Sequence, residues 1–567
     1  MPQRKLSFDV YFKLCYNAPM FIRIKQKPNG KKAIQIVEAI RKADKVQQKI
    51  VRHIGQAETD REVEALRNLA LAIIFEIKEQ RQPSLPLFNH ETLLKSRLEK
   101  RPARDKVDVS NLREEQRIIE GIGDVFGRLY QDLGMTDLIS GSRKDLQWNA
   151  ILRACVLARI ANPRSKRRTA SLLEQDYGIK IPLEKIYRMM DHVAANENSI
   201  KKHISSTTQS LFSEKVDVLF FDVTTLYFES FTPDGLREFG FSKDCKFKET
   251  QVVLALVTAT NGLPITYKLF PGNMYEGHTL IQIIEDLKIE HKIENVLLVA
   301  DRAMFTKTNL DEMERLNVNY IVAAKLKNLK KAVKDEILRD FYEPAVVNNE
   351  FHWVRELEHE GKRLVVSFSS KRARKDGADR QRLIDRLMKK VKDGKINVSE
   401  LITNHGTKKF IKVEKGAGAV VNEEKIKLDS LWDGLHGVIT NVKDKSPAEI
   451  LERYRGLWQI EEAFRVNKHD LRMRPIYHWT EERIRAHIAI CFIAFTLAKQ
   501  AVYRFGIQQH PMSFEQIRNE LLHAQASIVK DISTGKKYVI PSQVTLNQEK
   551  LYQAFGLKRS ATPYALE

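Results

Sequence analysis

Residues 446–468, SPAEILERYRGLWQIEEAFRVNK, announce a helix and then break the rules of an ordinary one. Ser446 supplies an N-cap, Pro447 takes the first helical position and Glu449 completes a capping box, so a helix starts there. Ile450, Tyr454, Leu457, Glu461, Phe464 and Lys468 recur at alternating spacings of four and three, which predicts one stripe facing the interior. Tyr454, Glu461 and Lys468 are each seven apart, with a drift of about 20° per step, so a phenol, a carboxylate and an ammonium point the same way. Charge on an inward stripe is costly unless it is paired or bound. Either Glu461 and Lys468 pair or meet solvent, or the stripe belongs to a site whose other acids lie elsewhere.

Two such acids stand upstream. VDVLFFDVTTLYFES (216–230) reads as a β-branched and aromatic strand, with Asp222 among Phe220, Phe221, Val223 and Leu226, a setting in which a carboxylate wants a cation. QVVLALVTAT (251–260) and LPITYKLF (263–270) continue it as a meander. VLLVA (296–300) ends at Asp301, TKTNLDEMERLN (306–317) predicts a helix and NYIVAAK (319–325) a strand, which makes a β-α-β unit. Asp301 thus stands where a strand runs out, and ligands of open α/β sheets gather there; taken alone, a pair with Arg302 or a cap is the plainer reading. Two strand-borne Asp and one helix-borne Glu suit Mg²⁺, a hard cation that takes oxygen ligands and keeps positions for water and phosphate. Two ions per site, with Mn²⁺ able to substitute, would activate the attacking oxygen and stabilise the leaving one at a phosphodiester. Tyr454 and Lys468 would hold phosphate oxygens.

The rest of the chain sets the context. Its 567 residues are 43% hydrophobic and 30% charged, the composition of a globular protein with length for roughly three to five domains. Lys and Arg outnumber Asp and Glu by 95 to 73, a formal charge of +22, which favours a polyanionic partner such as nucleic acid. Cys15, Cys155, Cys245 and Cys491 are scattered without metal-binding spacing, so reduced thiols and no zinc are expected. No signal peptide is evident and the longest apolar run, Ile488–Ala498, is too short to span a bilayer, so the expectation is a cytoplasmic, nucleoid-associated protein with no membrane partner. No phosphate-binding G-x-x-x-x-G-K-[ST] loop appears, and no ATP requirement is expected.

In chain order, residues 1–57 read as a small β domain, because 20–54 alternates apolar with basic residues around a Pro-Asn-Gly turn. Residues 58–106 read as a helix and a proline-containing linker, and 107–213 as an all-α, candidate DNA-binding domain. There Arg164, Lys166, Arg167 and Arg168 fill a break between helices and either meet phosphates or form a solvated loop. Residues 511–567 read as a helical region that is a candidate for dimerisation. KRARKDGADRQRLIDRLMKKVKDGK (371–395), with eleven basic and four acidic residues, offers Arg372 and Arg374 to DNA; the plainer alternative is a solvated helix with pairs such as Asp385 to Lys389.

FDVTT at Asp222, VADRAMFTKTNL at Asp301 and the Y-x6-E-x6-K of Tyr454, Glu461 and Lys468 resemble the DDE transposases of bacterial insertion sequences, in the branch with a Tyr-Arg-Glu-Lys signature. GFSKDCKFKETQVVLALV (240–257), GLPITYKLFPGN (262–273), DGLHGVITN (433–441) and RPIYHWTEERIRAHIAIC (474–491) extend the resemblance over most of 216–505. It implies an α/β multidomain protein with a ribonuclease H-like mixed-sheet core in two halves, 214–330 and 433–510, with Asp222 on its first strand, Asp301 after its fourth and Glu461 on a later helix, and with 331–432 as a β-rich insertion before that helix. It also implies metal-dependent cleavage at the ends of an insertion sequence and transfer of the 3′-hydroxyl into target DNA, by a homodimer that recognises terminal inverted repeats, with or without hairpin intermediates. Candidate DNA contacts on the opening stretch are Tyr454, Arg455, Trp458, Arg465 and Lys468. The signature Arg is replaced by Leu457, with Arg453 or Arg455 left to supply its charge, and the usual Gly after Asp-Arg is Ala303. Trp458 either stacks on a base or packs in the core, the latter being simpler. A nuclease of the same chemistry without strand transfer, and a DNA-binding protein without catalysis, are the competing readings.

Overall fold

A computed structural model describes residues 20–27, 32–42, 45–57, 63, 66, 70, 107–210, 218–229, 232–240, 248–275, 278–291, 293, 296–302, 306–339, 342–392, 410–414, 418–508 and 511–566. They fall into two compact units, Met1–Asn89 and His90–Glu567. In the first, β1 (Met20–Gln26), β2 (Lys32–Lys42) and β3 (Lys45–Ala57) form an antiparallel sheet. The alternating pattern places Ile34 and Ile36 inside, with Ala57 and Ala70. The helix and linker read over 58–106 lie almost wholly outside the described residues.

The second unit begins with a strand, β4 (Leu112–Ile119), followed by α1 (Gly121–Asp132), α2 (Asp145–Ala161), α3 (Lys166–Tyr177), α4 (Leu183–Ala195) and α5 (Glu197–Ser210). Then come β5 (Val218–Tyr227), β6 (Gln251–Ala259), β7 (Pro264–Pro271), α6 (Thr279–Ile289), β8 (Leu297–Ala300), α7 (Lys307–Arg315) and β9 (Asn319–Ala323). Helix α8 (Lys331–Ile337) leads into β10 (Glu343–Val347), β11 (Glu350–His359), β12 (Lys362–Phe368) and the basic helix α9 (Ser370–Lys392). After β13 (Ile411–Glu414), β14 (Gly418–Val421), α10 (Glu423–Ser430) and β15 (Leu435–Thr440), the opening stretch gives α11 (Pro447–Arg455) and α12 (Trp458–Arg465). The chain closes with α13 (Glu481–Gln508), α14 (Phe514–His523), β16 (Gln525–Asp531), β17 (Lys537–Pro541), α15 (Leu546–Ala554) and β18 (Tyr564–Leu566).

A nine-stranded sheet in the order β10-β11-β12-β15-β9-β8-β5-β6-β7 organises this unit. Its centre, β9-β8-β5, is parallel, and both flanks are antiparallel. Strand β6 is buried throughout, and β5 is buried except at Asp222 and Tyr227. Leu219, Phe221 and Val223 point to one face, where they pack with Ile283, Ile284 and Leu287 of α6 and Leu310 and Met313 of α7. Helix α12 lies against β5 and β6, and α13 reaches β7 as well as α1, α2, α4 and α5. Helix α13 is long and apolar enough to cross a membrane, yet 83% of its apolar window is buried inside the protein.

Two expectations need correction. Residues 107–213 are not all helical, and 511–567 is not a helical tail: β4 pairs antiparallel with β16 to complete a four-stranded sheet, β18-β17-β16-β4. The polar run LREEQRII has no strand signature of its own; its partner, more than 400 residues away, makes it a strand. The junction is sealed by Arg559 and Glu120, paired at 3.3 Å and almost fully buried, and by the Tyr552 hydroxyl donating to Asp124 at 2.6 Å. The strands FHWVREL and RLVVSFS of the insertion do not form a sheet apart, because β12 pairs with β15 and so extends the central sheet.

Candidate active site

Strands β5 and β8 run parallel with Phe221 opposite Ala300. Asp222 and Asp301 are the next residues on each, so the register carries two carboxylates to neighbouring positions, on strands about 4.8 Å apart. Asp222 belongs to the first strand of the large sheet in chain order, and Asp301 directly follows the fourth. Asp222 is half-buried, and the Val223 N–H donates to its Oδ1 at 2.7 Å. Asp301 and Glu461 are exposed.

The capping box of Ser446 and Glu449 forms as the residues dictate: the Glu449 N–H donates to Ser446 Oγ at 3.3 Å and the Ser446 N–H to Glu449 Oε2 at 2.9 Å. The single continuous stripe does not. At Gly456 and Leu457 the bonding tightens to i→i−3, with the Gly456 N–H donating to Arg453 O and the Leu457 N–H to Tyr454 O. Past α12 it loosens into a π-helical turn, Val466–Asp470. Tyr454 and Glu461 therefore sit on two α-helices either side of a tightened elbow, and Lys468 in a π-helical turn, rather than on one continuous helix. The cause is a close approach: a Cβ on Gly456 would lie 2.3 Å from Cζ of Phe220. Phe220 and Asp222 share a face of β5, since side chains alternate along a strand, so the elbow between α11 and α12 is seated beside Asp222.

Tyr454 is the electrostatic hub. Burial raises its phenol well above the usual value; the Asp301 and Glu461 carboxylates raise it further, and Arg302 and Arg372 pull the other way. Those four charges, from the end of β8 onward, α9 and α12, all act on one hydroxyl. His436 of β15 lies against the Tyr454 ring, centroids 4.9 Å apart, and burial, then Arg372, Arg302 and Arg455, pull its imidazole down to about 3. A cleft of about 650 Å³ opens here, lined among others by Arg372, Lys375, His436, Tyr454 and Arg455. A second, of about 340 Å³, adjoins it through Arg372 and His436 and adds Arg302, Lys325 and Lys327.

Helix α9 reaches the cleft because its inner face is docked: Arg380 donates to both Asp433 oxygens at 2.6 Å, and Asp376 accepts from the Gly434 N–H at 3.0 Å. Its outer face leaves Arg374 exposed, and Asp385 accepts from Gln381 at 2.9 Å in place of the expected pair with Lys389. Arg455 turns away toward the β10–β11 hairpin, donating to Val347 O at 3.1 Å and to Glu350 at 3.4 Å, so it does not replace the signature Arg beside the carboxylates. Leu457, at the signature position, is buried. Arg465 is held by Glu462 at 2.7 Å and lies 3.4 Å from Asp470. Lys468 is half-buried over the Phe464 ring. Trp458 is 57% exposed, which corrects the core-packing reading. Arg302 and His436 were not singled out as site residues; the only sequence signal for them was that both lie inside motifs carried by the resemblance.

Asp222, Asp301 and Glu461 offer the hard oxygen donors that Mg²⁺ takes. Among the described residues, no group of three or more His, Cys, Asp or Glu side chains is gathered closely enough to hold a metal ion. The donor set fits in kind, with two members on neighbouring strand positions and the third on α12 just past the seated elbow, and it closes no cage by itself.

A family model described as transposase DDE domain matches residues 214–497, and one described as IS1634 family transposase, N-terminal domain, matches residues 22–84. No curated protein matches the chain. Among solved structures, it is similar to a piggyBac transposase synaptic complex with hairpin DNA, at 9% identity and TM-score 0.34, over 71% of this chain and 77% of that one. It is also similar to the Mos1 transposase paired-end complex with left transposon end, at 14% identity and TM-score 0.14, over 30% of this chain and 57% of that one. A pre-cleavage Mos1 transpososome matches at 13% identity and TM-score 0.14, over 30% and 58%.

Proposed function

The chain belongs to the DDE transposases of insertion sequences, and from that premise we propose that it cuts DNA at the ends of its element and joins the freed 3′-hydroxyl to target DNA. The observation that carries this reading is the parallel register of β5 and β8, which sets Asp222 beside Asp301, with Glu461 on the helix that follows the elbow seated at Phe220. The strand order β7-β6-β5-β8-β9, an antiparallel meander followed by two parallel strands, supports a ribonuclease H-like core.

Asp222, Asp301 and Glu461 would hold two Mg²⁺ or Mn²⁺ ions, which when bound activate the attacking oxygen and stabilise the leaving one. The chain's own groups do the positioning. Tyr454, held protonated, donates a hydrogen bond to a phosphate oxygen at any ordinary pH. Arg302 and Arg372, which line the two adjoining clefts, neutralise phosphate charge there. His436, held neutral, backs the Tyr454 ring without adding charge. The partners are duplex DNA with terminal inverted repeats and target DNA, and two copies of the chain bring the ends together.

The test is Asp222→Asn in a cleavage assay with Mg²⁺ and an element-end duplex. Cleavage should vanish while end binding stays nearly intact, and retained cleavage sinks the assignment. A precut 3′ end separates the competing reading: a nuclease without strand transfer cuts the intact end yet joins nothing.

A further inference from the structure

A third cleft, of about 490 Å³, is lined from two segments remote in sequence: Arg164, Lys166, Arg167 and Arg168 at the start of α3, and Arg472 and Arg474 after the π-helical turn. Its described lining contains no carboxylate. Arg159 of α2 knits the two rims, donating to Leu471 O and Arg472 O at 3.3 Å and to Arg164 O at 3.0 Å. Lys166 is only 4% exposed, and no hydrogen bond or ion pair to its ammonium is found among the described residues. Burial, then Arg159, bring that ammonium down to about 8, and only the thiols Cys155 and Cys491 oppose them. His487, 5% exposed, donates from Nε2 to Met473 O at 3.0 Å, while its Nδ1 has no hydrogen-bond partner among the described residues. Buried cations without a counter-charge are costly, and here the void in front of them has room for an anion.

The cleft adjoins the strand that carries Asp222. Arg474 lies over the ring of Tyr227, the last residue of β5, at 5.4 Å, and Phe228 bridges to Ile476. Tyr227 is five residues beyond Asp222, about 16 Å along an extended strand. At about 3.4 Å per nucleotide, that is about five nucleotides of a B-form strand. Tyr477, 58% exposed, lines the cleft with a face on which a base can stack.

We propose that this cleft is a second phosphate-binding site, which grips a backbone phosphate of the DNA about five nucleotides from the bond being cut. The proposal rests on the transposase reading, since DNA supplies the anion. Lys166 and Arg159 form its floor, the arginines at 167, 168 and 472 its rim, and the helix N-terminus at Ser165 adds a favourable dipole.

The full-length protein and an Arg167→Ala/Arg472→Ala variant, altered only at exposed positions, are titrated over a range of salt with a duplex carrying the terminal repeat that flanks the coding sequence. The variant should lose roughly tenfold in affinity, and its slope of log affinity against log salt should fall by about 2. Duplexes with a single neutral methylphosphonate then locate the phosphate: one position should weaken the parent protein and leave the variant unchanged. Normal binding by the parent with an unchanged variant overturns the cleft alone, as does a methylphosphonate loss shared equally by both proteins. Parent protein that binds no DNA overturns the cleft and the transposase reading together. If inorganic phosphate raises the melting temperature of the parent while the variant's DNA slope is unchanged, the site serves free phosphate and the proposal is wrong.

Discussion

The two sites of the larger unit are electrical opposites. Where β8 ends beside the middle of β5, carboxylates and arginines both act on Tyr454, so that region holds charge of both signs and needs cations to complete it. The cleft at Lys166 is lined, among the described residues, by cations and no acids, so that region needs an anion. A phosphodiester escorted by divalent cations satisfies both at once, which is why two sites that each look unfinished make sense on one substrate. The contrast also separates two uses of burial. At Tyr454 burial keeps a donor protonated, whereas at Lys166 it stores an unmet charge that costs the free protein stability.

The contrast breaks most directly at Asp222. Asp222→Asn should lower the cleavage rate by on the order of 10³-fold or more, read in a single-turnover assay with Mg²⁺, while leaving the salt dependence of DNA binding unchanged. A comparable loss from Lys166→Met would mean that the two regions are not distinct.

At the basic site the sign should reverse. Lys166→Met should stabilise the DNA-free protein by about 1–3 kcal/mol in denaturant unfolding and weaken its DNA binding. Lys166 titrates near 8 when folded against 10.5 when unfolded, so between those values the unfolded chain holds more protons and stability rises with pH. The advantage of the variant should therefore be full below pH 8 and shrink toward pH 10.5. A destabilised variant at neutral pH would show that Lys166 has a hidden counter-charge.

Gly456→Ala tests the seat of the elbow beside Asp222. The added Cβ collides with Phe220, so unfolding free energy should fall by about 1–3 kcal/mol, and cleavage should fall with it. An equally stable variant would remove the reason given for the broken helix.

The smallest effect is expected at His436. Its folded value of about 3 against 6.5 unfolded means that the unfolded chain binds the extra proton in that interval, so stability falls as pH drops from 6.5 toward 3. His436→Gln should flatten part of that acid limb in thermal denaturation, and an identical pH profile would count against a buried neutral imidazole.

Much of this was legible beforehand, for local reasons. Asp222 and Asp301 stood out because an acid interrupts an apolar strand pattern, and Ser446 and Glu449 marked a helix start because a capping box closes over four residues. The stripe from Ile450 to Lys468 misled because periodicity assumes uniform winding, and Phe220, more than 230 residues upstream, decides where that winding tightens. Arg372 came from a segment read only as a DNA-facing basic surface, and its place near Tyr454 depends on Arg380 and Asp433 docking α9. LREEQRII was unreadable as a strand because its pairing partner lies at the other end of the chain.

By itself the sequence determined where the capped helix at Ser446 and the apolar strands of the central sheet begin, which acids interrupt apolar runs, and the family to which the chain belongs, since each rests on neighbours within a few turns or on a motif. Only the tertiary structure decided that Asp301, Glu461, Arg302 and Arg372 act on one phenol, and that residues 164–168 and 472–474 close on one void. Those arrangements are set by strand register and by helix docking, and both depend on contacts between segments hundreds of residues apart, which no local pattern encodes.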